Sequence, residues 1–353
     1  MLVALVGCGG SSQGGDGGTD LVPHGVGFVT RTVVDGSRGT PANGDAAASP
    51  MRVLVTEIWY PARAPDGGAT DGAVRGAPPD PDGAPHPLVL FVHGSSGGRR
   101  QSTFLTEALA AAGYVVAAAD FPLTAATTLG GASDLHVDDQ VGDLSFLADQ
   151  MRAFAADPSD LLAGAVDASG YAVVGHSTGG TVALLAAEAP DVHDARVRAA
   201  VALAPCACFF GDAFFRTRAL PLLIMAGTDD LFVPIATNGA RAYQLAGPPK
   251  LLVTLVGGDH LQFTDYAIPD AALHPTPTTT EDDIAVALAR YGGGTNCSPP
   301  PPPGTDPAMT IDEQHARTIS FTAAFLDGAM RGSPAALAKL EATPDSKTKI
   351  EKE

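Results

Sequence analysis

A chain of 353 residues with 45% apolar and 17% charged content carries enough apolar material for a sizeable core, which excludes a wholly disordered protein. Its 21 basic against 39 acidic residues give a net charge of −18, so nucleic acid is not an expected partner. Four of the five lysines follow position 338, which leaves no polybasic patch for an anionic membrane.

In chain order, Leu5-Val6-Gly7-Cys8 resembles a bacterial lipobox, in which Cys8 becomes the lipidated first residue, and a Gly/Ser-rich tether fills the rest of residues 1–21. The apolar stretch before Cys8 is too short to span a membrane. The expectation is an exported protein, lipid-anchored to a bacterial membrane or otherwise periplasmic or secreted. Strands are predicted over Val26–Val34 and Val53–Tyr60, followed by a Gly/Pro-rich insertion at 61–87. Strand Leu88–Val92, helix Ser102–Ala112, strand Tyr114–Ala119 and helix Asp139–Ala155 come next. Then come strand Tyr171–Val174, helix Gly179–Ala189, and strands Ala199–Leu203 and Leu220–Ala226. Helix Ala236–Leu245, strand Leu251–Val256, a polyproline loop at 292–304 and helix Asp312–Leu326 complete the series. Short apolar runs separated by amphipathic stretches are the pattern of buried parallel strands. The order predicts one α/β domain over residues 22–330, a mostly parallel doubly wound sheet with an antiparallel N-terminal edge. Residues 331–353 are expected to form a flexible C-terminal tail, apart from at most a short helix over AALAKL.

Three serines satisfy G-x-S-x-G, against about 0.2 expected by chance from this composition. Ser12 lies in the tether, with neither a strand before it nor a helix after it. Ser96 follows strand Leu88–Val92 but has only the edge pair upstream. Ser177, in Gly175-His176-Ser177-Thr178-Gly179, lies between a strand and a helix, where small residues at −2 and +2 let the two pack closely. Upstream of it Val92-His93-Gly94-Ser95 ends a strand in a Gly-rich loop, which suits backbone N–H groups of Ser95 and Thr178 as oxyanion donors. Ser177 is therefore the expected nucleophile.

A serine hydroxyl needs a base, itself oriented by a carboxylate. The strand at Leu220–Ala226 runs into Gly227-Thr228-Asp229-Asp230, and that at Leu251–Val256 into Gly257-Gly258-Asp259-His260. Chain order is thus serine, acid, histidine, with all three at C-terminal strand ends, where ligands bind in such sheets. His260 is the expected base. Asp230 is preferred to Asp229 as its partner, because an acid three residues after glycine, with Val-Pro three positions on, is the usual layout of this turn; Asp229 reads as a turn-capping acid. His93 and His176 lie inside motifs and are candidates for substrate contact. The nine histidines show no metal-ligand spacing, and neither a metal nor another cofactor is expected.

From Val26 to Leu326 the chain resembles an α/β-hydrolase, and more narrowly the bacterial branch related to platelet-activating-factor acetylhydrolase and predicted dienelactone hydrolases. The residues carrying this are Gly27-Phe-Val-Thr, Asp35-Gly-Ser-Arg38, Ile58-Trp59-Tyr60-Pro61-Ala62, Phe91-Val92-His93-Gly94, Gly113-Tyr-Val-Val-Ala, Gln140 to Phe146, the elbow, and Gly258 to Asp265. The resemblance implies the α/β-hydrolase fold and a cofactor-free serine esterase acting on short or modest acyl groups. Secreted, cutinase-like polyester hydrolases are the alternative, and a non-catalytic surface-binding lipoprotein of the same fold is the rival from another class. Trp59 reads as a core aromatic. Many relatives carry a helical cap after the strand at Ala199–Leu203, whereas here only Ala204 to Arg218 intervene, so a minimal cap and an open site are expected. In an exported protein Cys297 is expected to pair with Cys206 or Cys208.

Overall fold

The eight predicted strands all enter one sheet in the computed structural model, which describes residues 24–63, 72–266, 281–292, 297, 308–341 and 345–353. They are β1 (Gly25–Asp35), β2 (Arg52–Ala62), β4 (His86–Val92), β5 (Val115–Asp120), β6 (Val166–His176), β7 (Val197–Leu203), β8 (Leu222–Gly227) and β9 (Lys250–Leu255). Two further strands, β3 (Val74–Arg75) and β10 (Thr348–Lys352), complete ten, in the order β10-β9-β8-β7-β6-β4-β5-β2-β1-β3. The six strands from β4 to β9 pair in parallel, whereas β2 joins both β5 and β1 antiparallel. This is an α/β-hydrolase sheet with the expected antiparallel N-terminal edge.

The parallel strands are apolar throughout because both faces are covered. Tyr171, Val173, Ala200, Ala202, Leu222 and Ile224 face helices α2 (Asp139–Ala156) and α3 (Thr178–Glu188). The alternating set Val174, Val201, Leu203, Leu223 and Met225 faces α1 (Thr103–Ala111) and α6 (Ile311–Arg331). Trp59 is buried in this second core, as a core aromatic should be. Short helices α4 (Gly239–Leu245) and α5 (Glu281–Ala287) border the first core.

The chain after Arg331 departs from expectation. Beyond the short helix allowed over AALAKL, which is α7 (Pro334–Glu341), it forms β10, paired antiparallel with β9, in place of a flexible end. The strand is polar because it is an edge: Thr348 is buried and Ile350 meets the second core, while Lys349, Glu351 and Lys352 are exposed. The 61–87 insertion also contributes structure, since β3 pairs with β1 and the Tyr60 hydroxyl donates to the Ala77 carbonyl at 2.9 Å. Between β7 and β8 there are only two short 3-10 turns, Ala207–Phe209 and Asp212–Arg216, and no cap among the described residues.

Candidate active site

At the C-terminal end of β6 the chain turns sharply at Ser177, with φ 57° and ψ −122°, and α3 begins at the next residue. A non-glycine residue at this positive φ is strained, by about 1–3 kcal/mol. The flanking glycines make the turn sterically feasible. A Cβ on Gly175 would lie 2.1 Å from the Gly179 carbonyl oxygen, and one on Gly179 would lie 2.1 Å from that of Val92. The Ser177 N–H donates to the Leu203 carbonyl at 2.9 Å, fixing the turn to the end of β7. All eleven residues of α3 are buried, whereas Ser177 itself is only partly so.

Asp230 and His260 arrive from the ends of β8 and β9. His260 Nδ1 lies 2.7 Å from Asp230 Oδ2, and Asp230 Oδ1 accepts the Phe232 and Val233 N–H groups at 3.0 and 2.7 Å. An ionised carboxylate only accepts, so Nδ1 is the donor, and in the neutral ring the lone pair then lies on Nε2. Asp229 instead accepts from the Thr228 hydroxyl, at 3.1 Å. Asp259 turns away as well: its Oδ1 accepts the Leu261 N–H, and burial raises its pKa, with nearby Asp230 adding to the effect.

The Gly94 loop lies directly against the elbow, since a Cβ on Gly94 would come 3.1 Å from Ser177 Cβ. Ser95 follows at a partly exposed turn, and Thr178 supplies the first N–H of α3, a position with no intrahelical acceptor. The rival Ser96 shares the positive φ, at 55°, but no helix follows it directly, as α1 starts only at Thr103.

Substrate contact, expected of His93 and His176, is not what the structure gives them. They are 1% and 2% exposed, and both nitrogens of each ring are engaged inside the protein. His93 Nδ1 meets the Gly94 carbonyl at 2.7 Å and its Nε2 accepts the Phe121 N–H at 3.2 Å. His176 Nε2 meets the His260 carbonyl at 3.0 Å, and its Nδ1 lies 3.0 Å from Gln101 Nε2. Burial lowers the pKa of both histidines, and His260 beside it depresses that of His176 further.

Cys208 forms the disulfide with Cys297, with a Cα separation of 5.0 Å; Cys206 is a buried free thiol, while Cys8 lies outside the described residues. Burial pushes the Cys206 thiol up to about 12, with the Thr181 and Ser177 side chains beside it. Several supports of the His260 loop have no local sequence signal. Gln314 of α6 is fully buried and clamps the Asp259 peptide, accepting its N–H at 2.9 Å and donating to its carbonyl at 2.8 Å. Asp265 caps α1 from outside, accepting the Thr103 and Phe104 N–H groups. The Asp265 position does fall within the Gly258–Asp265 motif.

These features define an α/β-hydrolase with its polar groups gathered at the C-terminal sheet edge. The family described as PETase, PET hydrolase-like, matches residues 85–270, and the chain belongs to it. A solved structure of a ferulic acid esterase from Streptomyces cinnamoneus is 25% identical, with a TM-score of 0.61, covering 95% of this chain and 98% of that one. No curated protein sequence matches the chain. The protein is a serine carboxylic-ester hydrolase.

Proposed function

We propose that Ser177, His260 and Asp230 form a catalytic triad that hydrolyses esters through an acyl-enzyme. The observation carrying this reading is the 2.7 Å His260–Asp230 contact at the sheet edge where Ser177 occupies the strained elbow. Ser177 Oγ attacks the ester carbonyl as His260 Nε2 takes its proton; Asp230 holds the imidazole tautomer and supports the charge. The N–H groups of Ser95 and Thr178 bind the developing oxyanion. The tetrahedral intermediate expels the alcohol with the proton from His260, and water then repeats the sequence on the acyl-enzyme.

The proposed substrates are esters of short or modest acyl groups. A second reading, a polyester substrate, is favoured by the PET hydrolase-like family and by the short Ala204–Arg218 connection, which leaves no cap among the described residues. Export with lipidation at Cys8 is supported by the lipobox-like sequence and by the Cys208–Cys297 bond, since disulfides persist in oxidising compartments. A p-nitrophenyl ester chain-length series run beside a polyester film tests the substrate range. Ser177→Ala is expected to lower kcat by roughly 10⁴- to 10⁶-fold on every active substrate with an unchanged fold. Near-wild-type turnover by that variant would refute the assignment.

A further inference from the structure

A single hydrogen-bonded chain links the three loops of the site. The Gly94 N–H donates to Gln101 Oε1 at 2.8 Å. That contact fixes the orientation of the Gln101 amide, so Nε2 must be the donor toward His176 Nδ1, 3.0 Å away. With Nδ1 accepting, the single proton of the neutral His176 ring lies on Nε2 and is donated to the His260 carbonyl at 3.0 Å. Every bond runs in one direction, from the Gly94 loop, through the residue preceding the nucleophile, to the backbone of the base.

The chain is also enclosed. Gln101, His176 and His260 are 2%, 2% and 4% exposed, so a broken link leaves a buried polar group unsatisfied. The Gly-rich loop makes room for the amide, as a Cβ on Gly97 would lie 2.2 Å from Gln101 Oε1. The His176 ring packs on that of His260 with centroids 4.6 Å apart. A protonated His176 would oppose its Nδ1–H to the Gln101 amide N–H; burial, with His260 adjacent, holds its pKa well below 6.5 and preserves the direction of the chain. The Gln101 backbone adds a parallel tie, since its carbonyl accepts the Asp265 N–H at 2.8 Å.

We propose that Gln101 is a positioning residue that, acting through the His176 ring, holds the Ser95 loop, the Ser177 elbow and the His260 loop in one register. The proposal rests on the triad reading above. It concerns the placement of the base and oxyanion donors, so its signature is a loss in kcat with KM nearly unchanged.

The test measures kcat and KM of the full chain on p-nitrophenyl acetate, with near-UV circular dichroism as the fold control. Gln101→Met, which supplies neither donor nor acceptor, is expected to lose about 10- to 100-fold in kcat, with KM within about threefold. Gln101→Glu keeps an acceptor for the Gly94 N–H but offers His176 no donor, and a loss of the same order is expected. If Gln101→Met fails to fold, Gln101→Glu decides alone. Combining the folded variant with His176→Phe is expected to cost no more than about threefold beyond the worse single change, since both cut one chain. Wild-type kcat in the folded Gln101 variants, full activity in Gln101→Glu, or losses that multiply in the double variant would overturn the proposal. An active Ser177→Ala would instead overturn the triad; an inactive Ser177→Ala beside wild-type Gln101 variants would overturn only the positioning role.

Discussion

Asp230 accepts three hydrogen bonds, from His260 Nδ1 and from the Phe232 and Val233 N–H groups, whereas its neighbour Asp229 accepts none of these. The difference comes from the turn after β8. Backbone donors from the residues that follow hold Asp230 over the end of the sheet, while Asp229 binds the Thr228 hydroxyl beside it. Asp230→Asn is expected to reduce kcat by about 10³- to 10⁴-fold, because an amide at that position favours the wrong imidazole tautomer. Asp229→Asn is expected to stay within about threefold of wild type. Steady-state kinetics of the two variants on one soluble ester checks both. The placement of Ser177, Asp230 and His260 at the ends of β6, β8 and β9 could be read from sequence because each is announced by its own strand and turn. Gln101 and Gln314 could not: His176 and Asp259, to which they donate, lie 75 and 55 residues away, and glutamines in helical or turn sequence look like solvated surface.

Helix α3 follows directly on Ser177 and ends in a buried acid. Glu188 is 3% exposed, and burial raises its pKa from 4.5 to about 7, with the Thr217 and Arg218 N–H groups opposing the shift. The folded chain therefore retains a proton that the unfolded chain has released between these values. Stability from this group is fully present below pH 4.5 and is lost as pH rises through about 7, amounting to about 3 kcal/mol. Urea unfolding at pH 5.0 and 7.5 is expected to show this decline in wild type and a flatter profile in Glu188→Gln. The other elements divide by how much burial marks them. Strands β4 to β9 are covered on both faces and read as continuous apolar runs. Edge strand β10 is paired on one side only and carries Lys349, Glu351 and Lys352, so its sequence looks like a tail. What marks it as a strand is the two-residue alternation of Thr348 and Ile350 with charge.

Across the whole molecule, glycines are used in part to build the site. Gly175 and Gly179 shape the elbow, Gly94 and Gly97 the loop against it, and Gly227 the turn toward Asp230. Two of the three G-x-S-x-G serines take a positive φ within the described residues, so backbone strain alone does not select the nucleophile. In the proposed triad, placement selects it. Ser177 stands between a central strand and a helix that starts at once, with His260 tied to the neighbouring His176 through its carbonyl. Labelling the full chain with a fluorophosphonate probe and mapping the modified peptide reads out which serine is activated, since only a serine paired with a base reacts. The account predicts stoichiometric modification at Ser177, abolished by His260→Ala. Modification at Ser96, or undiminished labelling of Ser177 after His260→Ala, would contradict it.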